Sequence, residues 1–257
     1  MKIEGVIIIS HKRILAISDI HGCYNELVQL LELNNYNPKE DQLILLGDYI
    51  DRGPESKRTV TYIMQLVEEG AIALKGNHDQ MFLEFIYSNN PNKERRYLIN
   101  GGMTTLETYV GKDHFPENAA GEQLHSAKQL MKEDDREHLD FLSNLPYYFE
   151  TENHLFVHAG IDPSLDDWKD TPDYDKTWIR HEFLEFDHPH NLTIVHGHSP
   201  TQYIRGKKDN SVYFGNKKIG IDGACAYGGR LNCLIITGDS YETTYISNKK
   251  DNPEIES

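Results

Sequence analysis

The chain has 257 residues, 38% of them hydrophobic and 26% charged, the composition of a soluble globular protein long enough to bury one substantial core. Its 26 Lys and Arg against 41 Asp and Glu leave a net charge of −15, a long-range field that repels polyanions and anionic membranes and argues against bulk nucleic-acid binding. No run approaches the ~18 apolar residues that span a bilayer, and Met1 to Ser10 lack the basic start and small-residue cleavage site of a secretory signal, so a cytoplasmic protein is expected.

In chain order, a first apolar run at Arg13–Ser18 ends in D-I-H-G at Asp19–Gly22. Leu27, Leu30 and Leu31 then recur at helical spacing within Asn25–Leu33. A second run, Gln42–Leu46, delivers G-D-Y-I-D-R-G at Gly47–Gly53 and is followed by a helical pattern over Ser56–Glu69, carried by Val60, Ile63, Met64 and Val67. A third run, Ala71–Leu74, leads to G-N-H-D at Gly76–Asp79. This alternation predicts parallel strands with helices on the faces and ligands outside the carboxyl ends of the strands, where the polar motifs stand.

The stretch from Met81 to Glu150 is more polar and reads as a helical insertion, with loop signals at Asn89–Asn92 and around Gly111–Glu122. Two further strand-like runs follow. His154–Val157 ends in H-A-G at His158–Gly160, and Leu192–Val195 ends in H-G-H at His196–His198. From Val212 to Ser247 alternating strand patterns, interrupted by A-C-A-Y-G-G at Ala224–Gly229, predict a second, partly antiparallel sheet. A single domain over residues 1–247 is expected, followed by a polar tail, 248–257. Cys23, Cys225 and Cys233 form no C-x-x-C, which argues against a disulfide framework or a cysteine-based zinc site.

Five strands thus present Asp, Asn and His side chains, the hard and borderline ligands suited to manganese, iron or zinc. Taken singly, each has another use: Asp19 or Asp48 could cap a helix and Asn77 could make a turn. Gathered at one edge, several carboxylates and imidazoles are costly to bury without a compensating cation.

In order and spacing, D-I-H-G, G-D-Y-I-D-R-G, G-N-H-D, H-A-G and G-H-S resemble the signature of the phosphoprotein phosphatase family of calcineurin-like metallophosphoesterases, in its bacterial and phage form. The resemblance runs from about Arg13 to Leu234 and implies an α/β fold, a β-sandwich of mixed sheets flanked by helices with a helical insertion near residues 81–150. It also implies a dinuclear site for two divalent metal ions, manganese foremost, with iron or zinc as alternatives. Asp19 and His21 would bind the first metal, Asp48 would bridge both, and Asn77, His158 and His198 would complete the second. His196, one residue before the motif glycine, has a strand-end or supporting role as the equal alternative and is left out of the ligand set.

Two such metals activate a shared water as the attacking hydroxide and neutralise phosphoryl charge. The resemblance implies Arg52 and Arg180 as phosphate-binding arginines beside Asn77, and His78 as general acid oriented by Asp51. Arg180 could alternatively be an exposed helical residue paired with Glu182 or Glu185. Tyr227 resembles an aromatic residue bordering the substrate pocket, although with fifteen tyrosines an accidental one is an equal reading. N-G-G-M-T-T-L at Asn100–Leu106 resembles an element of bacterial members, and its ordinary role is a turn entering a helix.

Two substrates compete: phosphoserine or phosphothreonine in proteins, the first reading, and dinucleoside polyphosphates such as diadenosine tetraphosphate, the alternative. An inactive binding module on the same fold is the distant third, disfavoured because Asp48, Asp51 and His78 all stand in place. A tetraphosphate chain needs cations beyond the metals and two arginines; the candidates are Lys75, Lys93, Arg95, Arg96 and Arg230, of which Lys93, Arg95 and Arg96 read as solvated surface.

Overall fold

The computed structural model describes residues 12–115 and 121–248. Among these residues ten strands form two five-stranded sheets. In chain order they are β1 (Arg13–Ile17), β2 (Asp41–Leu45), β3 (Ile72–Ala73), β4 (Tyr148–Glu150), β5 (His154–Val157), β6 (Thr193–His196), β7 (Tyr213–Phe214), β8 (Lys218–Gly220), β9 (Arg230–Thr237) and β10 (Ser240–Ser247). The first sheet has the order β10-β9-β1-β2-β3 and the second β4-β5-β6-β8-β7. Each has a parallel centre, β1-β2-β3 in one and β5-β6-β8 in the other, bordered by antiparallel strands.

The apolar runs are continuous because both faces of the central strands are buried. Leu15, Ile17, Leu43 and Leu45 share a cluster with Leu27, Leu30, Val60 and Ile63 of the first two helices, α1 (Tyr24–Leu33) and α2 (Ser56–Glu68). Their strand neighbours Ala16, Ile44 and Leu46 point the other way and pack with Phe156, Val195 and Ile219 of the second sheet. On the far face of that sheet Leu155, Val157 and Ile194 pack against Trp168 and Phe183. The result is a sandwich of mixed sheets with helices outside, as the family resemblance implies. Among the described residues no helix is long and apolar enough to cross a membrane, and Cys23, Cys225 and Cys233 are free and buried.

Two expectations need correction. The strands after Val212 do not make a sheet of their own: β7 and β8 complete the second sheet, whereas β9 and β10 join the first beside β1. The reason is burial, since Leu231 and Cys233 of β9 enter the helix-side core while Leu234 and Ile236 enter the core between the sheets. The helical region also begins earlier than Met81, because α3 (Asn77–Tyr87) starts within G-N-H-D itself. It continues through α4 (Pro91–Tyr97), a π-type turn at Leu98–Gly102, α5 (Met103–Val110), α6 (Gly121–Asp134) and α7 (Arg136–Ser143). The loop signal at Asn89–Asn92 is the start of α4, where the Asn90 side chain caps the helix by accepting from the Asn92 N–H at 2.9 Å. Most of the predicted tail, part of the Gly111–Glu122 loop and residues Met1 to Ser10 lie outside the described residues.

Leu43 is fully buried at the centre of the parallel strands. Leu43→Ala should lower unfolding free energy by ~2–5 kcal/mol, the usual cost of a buried leucine truncation. Urea titration checks this, and an unchanged midpoint would place the core elsewhere.

Candidate active site

The residues after β1, β2, β3, β5 and β6 all emerge at one edge, where the two sheets meet. The local backbone there is strained: Asp19 (φ 53°), His21 (46°), Asp48 (57°), Asp51 (71°), Arg52 (70°) and His198 (61°) all occupy the left-handed region. They are six of the nine non-glycine residues of positive φ among the described residues, so strain of roughly 1–3 kcal/mol each is concentrated where the motifs lie. Gly76 is required for a different reason, since a Cβ there would fall 2.2 Å from Asp48 Oδ1. Asp79 ties these loops together: its Oδ2 accepts the N–H of Asp48 (3.0 Å) and of Gly76 (2.9 Å), and its Oδ1 that of Tyr49 (3.1 Å).

Asp48 sits at the centre of the cluster, fully enclosed. Its Oδ2 faces His21 Nε2 at 3.5 Å and its Oδ1 faces His158 Nε2 at 3.4 Å. The ligand atoms of His21, Asp48 and His78 lie within 4.8 Å of one another, and so do those of Asp48, His158 and His198. One carboxylate therefore belongs to two groups.

The tautomers fit a cation. His21 Nδ1 donates to the Ile50 carbonyl (2.7 Å) and His158 Nδ1 to the Leu46 carbonyl (2.7 Å), while His198 is bonded to the backbone of Trp178. With Nδ1 occupied in this way, Nε2 presents a lone pair inward, the arrangement of metal-binding histidines. His158 Nε2 stands 2.9 Å from Asn77 Oδ1, lone pair against lone pair, and His198 Nε2 is buried with no hydrogen-bond partner. Such contacts are repulsive or costly unless a cation lies among them. Burial drives the pKa of His21 and His198 well below the ordinary imidazole value, keeping them neutral, and raises that of Asp48, with the Asp19 charge adding to the rise.

Asp19 joins neither group. Its charge nonetheless acts on both Asp48 and His158, and its carboxylate accepts the His198 backbone N–H at 3.2 and 3.0 Å and the Ser18 hydroxyl at 2.5 Å, which fixes the loop that carries His198. His196 lies behind the cluster, with Nδ1 near the Gly197 carbonyl (3.1 Å) and Nε2 unpartnered.

Beside the cluster, His78 Nδ1 meets Asp51 Oδ2 at 2.7 Å. Burial pushes the Asp51 carboxyl up to about 7 and His78 well below its usual value. The other Asp51 oxygen accepts from Tyr97 OH (2.9 Å) and Thr105 Oγ1 (2.7 Å), both from the helical insertion. The Arg52 N–H donates to the Gly101 carbonyl at 3.2 Å. Gly101 has φ 97°, and a Cβ there would lie 2.9 Å from Arg52 Cγ, so this glycine is what lets the insertion close on Arg52. The N-G-G-M-T-T-L element, which suggests only a helix-entering turn in sequence, thus positions both Asp51 and Arg52.

Arg52 Nη1 lies against His21 Nε2, and its guanidinium covers the exposed Tyr227 ring at 5.1 Å. Arg180 Nη1 donates to the His198 carbonyl (2.8 Å) and to Ser199 Oγ (3.0 Å), turned into the site and not toward Glu182 or Glu185. Arg96 corrects the surface reading given to it. Its guanidinium lies 4.3 Å from the centre of the Trp178 ring, which in turn meets the His198 ring edge-on at 5.8 Å, and its charge depresses the pKa of His78. The remaining candidate cations are otherwise engaged: Lys75 donates to the Ser143 carbonyl, Lys93 pairs with Glu84, and Arg230 lies over Tyr245. Arg95 is exposed. Asp222, which follows β8, also enters the site. The strand-then-carboxylate pattern in Ile219–Asp222 is a sequence signal for it; Arg96 and Tyr97 have none, because helix packing alone brings them in.

Thr105→Val removes the hydroxyl from the Asp51 carboxylate while keeping side-chain volume. In the phosphoester hydrolysis that the resemblance implies, loss of this hydrogen bond to Asp51 should lower kcat by about tenfold, with metal content unchanged and Thr105→Ser restoring activity. An unaltered kcat in Thr105→Val would remove the insertion from the positioning of His78.

A family model of calcineurin-like phosphoesterases matches residues 12–238. The chain is 30% identical over 150 residues to the symmetrical bis(5'-nucleosyl)-tetraphosphatase of Vibrio parahaemolyticus serotype O3:K6 (strain RIMD 2210633), a match covering 58% of this chain and 45% of that protein. It spans less than half the length of such relatives. The asymmetrical bis(5'-nucleosyl)-tetraphosphatase of Geobacillus sp. (strain WCH70) is 28% identical over 243 residues, covering 85% of this chain and 88% of that protein. Among solved structures, one described as a candidate diadenosine tetraphosphatase superposes with a TM-score of 0.63 at 19% identity, covering 93% of this chain and 96% of that one, a likeness of fold. The two mixed sheets and a family match that begins one residue before β1 and ends one residue after β9 place this chain in the calcineurin-like phosphoesterase family.

Proposed function

We propose that the chain is a metal-dependent phosphoester hydrolase acting on dinucleoside polyphosphates. The observation that carries the hydrolase reading is the division of the Asp48 oxygens between two groups of inward-facing imidazoles. In this reading His21 and Asp48, with Asp19 beside them, hold one divalent cation, and Asp48, Asn77, His158 and His198 hold the other. The nitrogen and oxygen donor set suits manganese, iron or zinc alike. Two cations so held would supply an activated water and neutralise charge on the phosphoryl oxygens.

The chain's own side chains do the rest. Arg52 and Arg180 bind the phosphoryl oxygens beside the cluster, where fixed positive charge is most effective in phosphoryl transfer. His78 and Asp51, facing each other Nδ1 to Oδ2, share one proton while Nε2 carries another; the Nε2 proton goes to the departing oxygen and the shared proton stays on Nδ1, leaving Asp51 as the carboxylate. Asp51 in turn is held by Tyr97 and Thr105, so the donor arrives with its orientation set.

For the substrate, the tetraphosphatase names of the Vibrio and Geobacillus relatives favour the dinucleotide reading over the protein-phosphatase reading that the motifs alone suggested. Arg96 supports it from within the molecule. A phosphate monoester needs no guanidinium beyond Arg52 and Arg180, whereas a longer phosphate chain does, and Arg96 stands across Trp178 from the cluster.

Manganese-loaded protein should hydrolyse diadenosine tetraphosphate with a kcat/KM at least tenfold above that for a phosphoserine or phosphothreonine peptide. Arg96→Ala should raise KM for the dinucleotide by about tenfold, the size of one lost charge-assisted hydrogen bond, and leave methyl phosphate hydrolysis within a few-fold. Preference for the phosphopeptide, or equal effects of Arg96→Ala on both esters, would overturn the substrate assignment.

A further inference from the structure

A cavity of about 360 Å³ opens directly onto the cluster. Its inner wall carries His21, His198, Arg52 and Arg180. Its outer wall is of a different character, formed by Tyr203 of the short helix α8 (Thr201–Arg205) and by Tyr227 after β8. Tyr203 is 74% exposed and Tyr227 65% exposed. Large aromatic rings left this open to water forgo most of the burial that normally stabilises them, while the next residue along, Ile204, reaches inward to Gly220. Tyr203 makes no ring or cation contact among the described residues, and Tyr227 is covered on one side by the Arg52 guanidinium.

We propose that Tyr203 and Tyr227 form a nucleobase site, in which the base of a bound nucleotide stacks at the cavity mouth while its phosphate reaches Arg52 and Arg180. The inference rests on the dinucleotide reading above and deepens it. Three features converge. The cavity volume is at the small end of small-molecule sites, room for one nucleotide and not two. Its polarity is divided, with Arg52 and Arg180 beside the buried Asp222 at the inner end and two tyrosine rings at the outer, which matches the anionic and π-faced ends of a nucleotide. The rings are already outside the core, so occupying them needs no rearrangement of packed side chains. Stacking of this kind accepts any base, because every base has a π-face, and the site therefore selects for a nucleotide over a bare phosphate ester and not for one base over another.

The test compares two ligands that share a phosphate and a ribose but differ in the base. AMP and ribose 5-phosphate are titrated calorimetrically into manganese-loaded full-length protein, its Tyr203→Ala variant and its Tyr203→Phe variant. AMP should bind the unaltered protein about tenfold or more tightly than ribose 5-phosphate. Tyr203→Ala should abolish that difference, Tyr203→Phe should keep it, and ribose 5-phosphate should bind all three alike. The exposure of Tyr203 makes loss of folding an implausible cause of any change, and a melting curve unaltered in Tyr203→Ala verifies that. Equal binding of the two ligands to the unaltered protein, or an AMP advantage that survives Tyr203→Ala, overturns the proposal. Because binding is read without turnover, a protein that prefers AMP yet does not cleave diadenosine tetraphosphate would keep the nucleobase site and lose the substrate reading. One that cleaves the dinucleotide with no preference for AMP would do the reverse.

Discussion

A carboxylate enclosed between two sheets, with each oxygen turned toward a different imidazole, sets the terms for everything around it. Asp48 accepts the backbone N–H of His78 at 2.8 Å, and its own N–H is held by Asp79. Those bonds alone leave a buried anion poorly compensated, and burial correspondingly raises its pKa. The neutral histidines facing it offer lone pairs, not protons. The arrangement is a balanced one only with positive charge at its centre, and Arg52, lying against His21, already brings some. The left-handed backbone at Asp19, His21, Asp48, Asp51, Arg52 and His198 is the conformational cost of bringing these groups to one point.

The helical insertion is part of this machinery and not an ornament on it. Tyr97 and Thr105 hold one oxygen of Asp51 so that the other is directed at His78, and the carbonyl of Gly101 fixes the backbone of Arg52. Tyr97 is fully buried between Phe82 and Phe85, so the orientation of the dyad depends on the packing of an apolar cluster remote from any phosphate. Arg96, one residue earlier on the same helix, lies over the Trp178 ring, whose edge meets His198.

Much of this was legible in the chain. The apolar runs at Arg13, Gln42, Ala71, His154 and Leu192 are strands within a residue or two because continuous Ile, Leu and Val serve only strands buried on both faces. The polar motifs after them converge because parallel strands place their carboxyl ends on one edge. What was not legible depends on tertiary packing. Nothing in the spacing of Val212–Ser247 tells which sheet each strand joins, since β8 and β9 are both apolar and both buried. Nor does a basic stretch at Lys93–Arg96 say that Arg96 folds over Trp178, eighty-two positions on, while Arg95 stays in solvent. The role of Thr105 was hidden for the same reason: its partner Asp51 lies fifty-four positions away.

In the proposed site Asp48 is shared between two cations. Electron paramagnetic resonance of the protein loaded with manganese to saturation tests it most directly, because two ions joined through one carboxylate are exchange-coupled and isolated ions are not. A coupled multiline spectrum is expected at two equivalents, which Asp48→Asn converts to the six-line signal of separate ions or abolishes. A six-line spectrum from the unaltered protein at saturation would contradict it.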